Sequence, residues 1–256
     1  MYHSITFGSK NTWEDWHLVP SSRPVFSPPA LKKKTLDIPG GDGLIDLSDS
    51  LTGYSVYNNR EGSFEFIVMN DYWEWQEAYS TIMDYLHGIK MTAFLEDDPD
   101  YYYEGRFTVS DWKSDKNYSL IVIDYDVAPY KRKFEESVKN IQVTTTKQLY
   151  TFNTDFYGRE PVCPVFHVET SGEQGMTIGF VNDNLNISAT KQVSDGKIQI
   201  PEFVFYGNSV KIYFQVDDTE MYLEDSNGNQ MLDSSGNKIQ TKANGNVSVS
   251  CKYGRL

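Results

Sequence analysis

The segment from Leu86 to Trp112 constrains the fold more than any other part of this 256-residue chain. It contains, in order, the end of an apolar helical stripe, two strand-like runs and an acidic turn, and these are separated by Gly88, Pro99 and Gly105. Glycine adopts positive φ without strain and proline lacks a backbone donor, so both residues tend to mark the ends of elements. A helix that leads directly into a β-hairpin predicts a domain that mixes a sheet with one helix.

The helix itself is predicted over residues 71–87. Asp71 can serve as the N-cap, and Glu74 three positions later completes a capping-box pattern. Six apolar residues then recur at steps of three or four: Trp75, Ala78, Tyr79, Ile82, Met83 and Leu86. Such a stripe could form an aromatic ligand site, but the face of a helix packed on a sheet is the favoured interpretation.

The rest of the first half has the period of two that is typical of strands. The predicted strands are Ser63–Val68, Lys90–Leu95, Tyr102–Asp111 and Tyr118–Val127. In the last of these, Ile121, Ile123, Tyr125 and Val127 are predicted to be buried, because the alternate set contains Asp124 and Asp126. A short charged link, 131–136, is predicted to follow.

The second half has no helical period and contains many short strands separated by Gly, Asn and Asp, a pattern typical of a β-sandwich. The predicted strands are 148–152, 162–168, 176–181, 185–190, 197–200, 210–216, 221–224 and 247–252. A short repeat, Asp225–Asn229 and Asp233–Asn237, predicts two turns. An EF-hand calcium loop starting at Asp225 is excluded, because its positions 6 and 12 hold Gln230 and Gly236.

Charge supports a division into two domains, 1–138 and 139–256. The first contains 13 basic and 23 acidic residues, and the second contains 10 basic and 13 acidic residues. The net charge of the whole chain is −13. The predicted fold class is mainly β, with a β-rich α+β N-terminal domain and a C-terminal sandwich. An acidic chain argues against a phosphate-binding surface, since such a surface needs clustered Lys and Arg.

Composition excludes several further classes. No run of about 18 apolar residues exists, so membrane insertion is not expected. The N-terminus lacks the basic-then-apolar order of a signal peptide, which predicts synthesis in a cytoplasm. Cys163 and Cys251 are too few for a disulfide framework and are predicted to be reduced thiols in or near a β core.

No catalytic or metal-binding pattern is present. The four histidines are scattered, no nucleophile elbow or Walker loop exists, and Gly40–Gly43 is predicted to be a flexible hairpin turn. Glu96, Asp97, Asp98 and Asp100 could bind a cation, but a turn whose acids face water is the favoured interpretation. We therefore predict no cofactor, no metal and no enzymatic activity.

Four segments, in this order and spacing, resemble one known family. They are Phe7–Pro29, Ile38–Ser48, Tyr57–Phe66 and Leu86–Trp112. Together they resemble the distal tail protein (Dit) family of siphophages that infect Gram-positive bacteria, over about Tyr2 to Tyr130. The resemblance implies a structural virion protein that forms a hexameric ring between the tail tube and the baseplate or tail tip, with a galectin-like second domain.

The resemblance also implies partners and a location. The ring would contact the major tail protein, the tape-measure protein and the tail-associated hub protein, and would anchor receptor-binding or upper-baseplate proteins at the tail tip of the virion. DNA would pass only as cargo. Contacts between subunits are predicted at a set of aromatic, proline and lysine residues: Trp13, Trp16, Pro24, Pro28, Lys32, Lys33 and Lys34. Lys10–Pro29 is predicted to wrap a neighbour.

A glycan-binding host-adhesion module is the alternative function. Galectins stack the sugar on a tryptophan, whereas all five tryptophans here lie in the first half: Trp13, Trp16, Trp73, Trp75 and Trp112. The second domain is therefore interpreted first as a docking surface for another protein, since a fold alone does not determine function.

Overall fold

The structure, a computed structural model, describes residues 2–69, 75–114, 119–170, 175–217, 221–222, 226, 230–238, 240–241 and 244–256. Contacts divide the chain into two compact units. Unit 1 comprises Met1–Phe134 with Gly254–Leu256, and unit 2 comprises Glu135–Tyr253. The predicted mainly β fold class is confirmed. No helix in the described ranges is long and apolar enough to cross a membrane.

Unit 1 is built on one antiparallel sheet. Its elements are β1 (Ile5–Phe7), β2 (Lys10–Asn11), β3 (Leu18–Pro20), β4 (Thr35–Asp37), β5 (Leu44–Asp46), β6 (Arg60–Val68), α1 (Trp75–Leu86), β7 (Ile89–Leu95), β8 (Tyr101–Ser114), β9 (Ser119–Val127), β10 (Lys131–Lys133) and, at the end of the chain, β21 (Gly254–Arg255). The strand order is β2-β1-β7-β8-β9-β6-β3, and β10 joins β8 to β21. β4 and β5 pair only with each other.

The core of unit 1 follows the predicted alternation. Ile121 and Ile123 of β9 are fully buried and lie opposite Phe66 and Phe64 of β6. Tyr125 and Val127 are also buried, so the predicted inward face of β9 is confirmed.

Helix α1 packs its apolar stripe against the sheet. Ala78, Ile82 and Leu86 are fully buried, and the ring of Tyr79 lies 4.7 Å from that of Trp112. Gly88 ends the helix as predicted, with φ +73°, and its N–H donates to the carbonyl oxygen of Phe107 at 2.8 Å. The predicted cap, residues 71 and 74, lies outside the described residues.

The predicted charged link is partly a strand, which corrects the sequence-based assignment. Lys131 pairs with Arg255 of β21, and Arg132 pairs with both Gly254 of β21 and Tyr102 of β8. Three consecutive basic residues lack the apolar alternation that predicts a strand. Main-chain hydrogen bonds to a neighbouring strand can nevertheless form with any side chains. The last residues of the chain therefore complete unit 1.

The acidic turn after β7 faces water only in part, which corrects the prediction: Asp100 is exposed, whereas Glu96, Asp97 and Asp98 are partly buried. Glu96 accepts hydrogen bonds from the N–H and hydroxyl of Ser4, and its pKa is lowered mainly by the first of these. The Asp97 side chain is only 12 % exposed and binds His3 Nδ1 and Arg23 Nε, each at 2.8 Å. These acids hold the N-terminal strand to the sheet. Within the described residues, no three metal-ligating side chains come together.

Unit 2 is a sandwich of two four-stranded antiparallel sheets, β11-β20-β13-β16 and β12-β17-β14-β15. Its elements are β11 (Ser137–Thr144), β12 (Gln148–Asn153), α2 (Thr154–Tyr157), β13 (Val165–Thr170), β14 (Met176–Asn182), β15 (Ile187–Val193), β16 (Gly196–Gln199), β17 (Ser209–Val216), β18 (Met221–Tyr222), β19 (Gln240–Thr241) and β20 (Asn244–Cys251). The inward residues of both sheets share one core. β11 was not predicted from the sequence, and the contacts divide the chain before it, between residues 134 and 135.

The predicted turn at Asp233–Asn237 is confirmed. The Asp233 carboxylate accepts hydrogen bonds from the N–H groups of Ser235 at 2.8 Å and Asn237 at 2.9 Å. In the first copy of the repeat, residues 225 and 227–229 lie outside the described residues. Both cysteines are free, as predicted, and burial raises the pKa of Cys251 to about 12.

Candidate assembly surface

Residues 31–57 form a hairpin that we call the arm. Its strands β4 and β5 pair Leu36 with Ile45 and Asp37 with Leu44, and the turn between them contains the predicted Gly40–Gly43 hairpin. At the root, Lys32 N–H donates to the Val56 carbonyl oxygen at 2.8 Å, and Asn58 N–H donates to that of Ala30 at the same distance. These bonds fix where the arm leaves the sheet of unit 1.

The arm exposes an unusual amount of apolar side chain. Every residue from 32 to 47 is exposed. Six large apolar side chains are among those of the arm: Leu36 (51 % exposed), Ile38 (46 %), Leu44 (63 %), Ile45 (45 %), Leu47 (37 %) and Leu51 (98 %). An isolated two-stranded hairpin is at best marginally stable in water, and a contiguous exposed apolar surface marks an interaction site. The arm therefore has the properties of a segment that packs on another surface.

Charge on the arm is divided along its length. Lys32–Lys34 lie exposed near the root with Asp46, which pairs with Thr35 and lies close enough to Lys33 to feel its charge, whereas Asp37 and Asp42 lie farther out. The Ser48 hydroxyl and N–H both donate to Asp46 and lower the pKa of its carboxyl, so this acid stays charged. A partner surface that complements both ends of the arm would fix its direction as well as its position.

The predicted contact residues fall into two groups. Lys32, Lys33, Lys34 and Pro28 are exposed, and Trp13 is half-buried with its ring stacked on that of the exposed Tyr2 at 3.9 Å. These side chains are accessible to a neighbouring subunit. The three lysines belong to the arm. The arm therefore combines these predicted contact residues with its exposed Leu and Ile side chains, which the sequence analysis did not include among the contacts.

Trp16 and Pro24 are buried in unit 1 itself. Trp16 is 2 % exposed, with its ring 6.3 Å from that of Phe7 and 5.6 Å from that of Tyr85. Pro24 is also buried, and its neighbour Phe26 packs into the same core. Neither can reach a neighbour, so we take both out of the contact set. The segment Lys10–Pro29 is thus anchored in its own unit by its buried residues, and its exposed residues, such as Val25 and Pro28, keep contact with a neighbour as a prediction.

The chain just before the arm is held by a buried arginine. Arg60 is 5 % exposed, and it donates from Nη1 to the Ser27 carbonyl oxygen and from Nε to that of Pro129, each at 2.8 Å. Burial lowers the pKa of its guanidinium, although not enough to discharge an arginine near neutral pH. The root of the arm is therefore attached to a rigid part of the sheet.

Beside the root lies an acidic sheet face, which we define as Glu61 and Glu65 of β6 and Asp124 and Asp126 of β9. All four are exposed, and Glu61 lies directly opposite Asp126. Like charges in directly opposed positions are destabilising in a sheet. Arg106 of β8, on the other side of Asp126, partly offsets this repulsion.

The chain is similar in structure to a known protein. No protein-family model matches the chain, and no curated protein matches it. Among solved structures, the chain is similar to phage SPP1 Dit (gp 19.1), a crystal structure described as a paradigm of the hub adsorption apparatus in phages that infect Gram-positive bacteria. The identity is 12 % and the TM-score 0.58, over 99 % of this chain and 100 % of that one. The resemblance predicted from the sequence is confirmed as a shared fold.

Proposed function

We propose that this chain is a distal tail protein, a structural virion protein that acts as the hub between the tail tube of a siphophage and its baseplate or tail tip. The observation that carries the proposal is the fold shared with SPP1 Dit over the whole length of both chains. A shared fold does not by itself determine function. The arm supplies the independent support, because a hub has to assemble and the arm is built to contact another surface.

The assembled hub in this proposal is a closed ring of six copies. In a closed ring each subunit presents two different surfaces, one to each neighbour. The arm is the first surface, and its occupant is a second copy of this chain. Fully burying an exposed Leu or Ile side chain contributes about 1.5–3 kcal/mol, so burial of the arm's apolar side chains would favour this contact.

Negative-stain electron microscopy of the purified full-length protein tests the ring. Class averages are expected to show closed particles with six-fold symmetry. Open filaments, or particles no larger than one chain, would contradict the proposal.

The proposed partners occupy different parts of the ring. Unit 1 would meet the major tail protein on one side and the tail-associated hub protein on the other, with the tape-measure protein in the channel. Unit 2 would anchor receptor-binding or upper-baseplate proteins. Its two sheets end in β11, β16, β12 and β15, and edge strands offer main-chain groups to which a partner strand can add. The protein would be made in the host cytoplasm and act in the virion, without membrane insertion.

Unit 1 is expected to assemble without unit 2, because the arm and every predicted contact residue belong to it. The chain to express has residues 135–253 replaced by a short Gly/Ser linker and keeps Gly254–Leu256, since β21 pairs with β10. Size-exclusion chromatography with light scattering should show a ring. If this chain stays monomeric while the full chain forms rings, unit 2 supplies the contacts and this prediction is wrong.

The channel wall is expected to be neutral to acidic, because a basic wall would bind DNA phosphates and slow the exit of the genome. The acidic sheet face is our candidate for this wall. Charges beyond a Debye length of about 8 Å are screened, so only residues on the wall matter. Cryo-electron microscopy of the ring should place Asp124 and Asp126 towards the channel. A wall formed by Lys32–Lys34 would contradict this.

A further inference from the structure

Unit 2 carries a polar depression on the outer face of the sheet β11-β20-β13. Its volume is about 610 Å³. Six polar side chains line it in two rows that cross the three strands. One row is Gln142, Asn246 and Glu169, and the other is Asn140, Ser248 and His167. Strands lie about 4.8 Å apart and alternate residues about 6.7 Å, so the six groups form a grid about 10 Å by about 7 Å.

The neutral groups of this grid have no partner in the protein. Within the described residues, the side chains of Asn140, Gln142, Asn246 and Ser248 neither donate nor accept a hydrogen bond. Of the two remaining groups, His167 Nε2 lies 3.8 Å from Glu169 Oε1, and His167 pairs across the strands with Lys197, which is outside the lining. Each side-chain amide has two donors and an acceptor, and the hydroxyl can do both. The depression therefore offers many donors and acceptors with little charge.

The opposite outer face of the sandwich is different, although it is also polar. There Thr177 Oγ1 and Gln192 Nε2 donate to the Asp217 carboxylate, at 2.7 and 2.8 Å. Lys211 Nζ lies 3.0 Å from the carboxylate of Asp183. Other polar side chains of that face, such as Thr190 and Gln215, have no partner among the described residues. The first face differs in that its four open polar side chains line a single depression.

We propose that this depression is a binding site for an uncharged saccharide. Sugar hydroxyls both donate and accept, as the amides and Ser248 do, and the grid has the extent of one or two sugar rings. A phosphate or another anion would need a cation, whereas the lining contains the acid Glu169 and neither Lys nor Arg. An extended peptide adds to a strand edge rather than to a sheet face.

The site differs from a galectin site in having no aromatic ring among its lining residues. The sugar would be recognised through hydrogen bonds that replace hydrogen bonds to water. The net gain from each such bond is small, so we expect weak binding with a Kd of about 1–10 mM. In a ring of six copies, six such sites on one particle would act together against a polysaccharide surface. The site itself stands independently of the hub proposal, because its residues all belong to one copy of unit 2.

Saturation-transfer difference NMR on the full-length protein detects binding in this range. The probes are the methyl glycosides of glucose, galactose and N-acetylglucosamine at about 10 mM, with glucose 6-phosphate as the anionic comparison. At least one neutral glycoside is expected to give a signal that exceeds that of glucose 6-phosphate. Asn246→Ala, at the centre of its row, should weaken binding by about fivefold or more.

The matched control is Thr190→Ala, another exposed strand residue of unit 2 on the opposite sheet, which should leave binding unchanged. Far-UV circular dichroism should show that both variants keep the fold. Absence of signal from all three neutral glycosides would overturn the proposal. So would preferential binding of glucose 6-phosphate, or an Asn246→Ala protein that binds as well as the native one.

Discussion

Replacing Leu36 and Ile45 of the arm with serine is expected to leave each chain folded but to convert the assembled protein to monomers of 29.4 kDa. The two side chains lie opposite each other on one face of the hairpin and are 51 % and 45 % exposed within a single chain. Because about half of each side chain is already buried, burying the rest against a neighbour would contribute about 1.5–3 kcal/mol for the pair at each contact. Their loss would weaken each contact by a factor of about 10 to 10².

Multi-angle light scattering at several protein concentrations measures this loss, and tryptophan fluorescence checks the fold of unit 1. The control variant changes Val138 and Leu149 of unit 2 to serine. These are also exposed apolar strand residues, at 55 % and 52 %, but they lie outside the arm. If the arm variant assembles as fully as the control, the arm does not hold the ring.

Gly105→Ala is expected to have the largest effect on the stability of a single chain. Gly105 lies in β8 between Met91 of β7 and Val127 of β9. A Cβ there would overlap the main-chain oxygen of Asp126 and the Cα of Val127. Neither atom can move without breaking the pairing of β8 with β9, so the cost is about 3 kcal/mol or more, at the upper end for overpacking.

Urea unfolding followed by tryptophan fluorescence isolates this effect, because all five tryptophans belong to unit 1. With a slope of about 1–3 kcal/mol per molar, the midpoint should fall by about 1–3 M. Gly41→Ala in the turn of the arm is the control within unit 1, because its Cβ would meet the nearest atom, the main-chain oxygen of Ile38, at 3.4 Å, an ordinary contact distance. A Gly105→Ala midpoint within about 0.3 M of the native one would show that the sheet relaxes around the methyl group.

The alternation of apolar and polar residues in the sequence was sufficient to predict the strands in which buried and exposed residues alternate. In β9 the acids Asp124 and Asp126 identify the outer face, and the residues between them are buried as expected. The end of helix α1 at Gly88 was also predictable from the local sequence, because glycine adopts a positive φ without strain. β10 was missed because Lys131–Lys133 has no alternation and is held in place by strands distant in sequence.

The assembly surface was only partly predictable for the same reason. A run such as Leu44-Ile45-Asp46-Leu47 has the same composition whether its hairpin is buried or projects into solvent, so the sequence indicated the turn of the arm but not its exposure. Conversely, Trp16 has the composition of an interface residue but lies in the core, because Phe7 and Tyr85 surround it. Burial of this kind depends on long-range contacts that no short segment encodes.

The solution mass of the purified full-length protein tests the central proposal most directly. Six copies of the 29.4 kDa chain give about 176 kDa, and the hub proposal predicts a particle of this mass, or of two such rings, by light scattering. The ring is expected to become more populated as protein concentration rises, since assembly follows mass action. A single species of 29.4 kDa at every concentration would contradict the proposal.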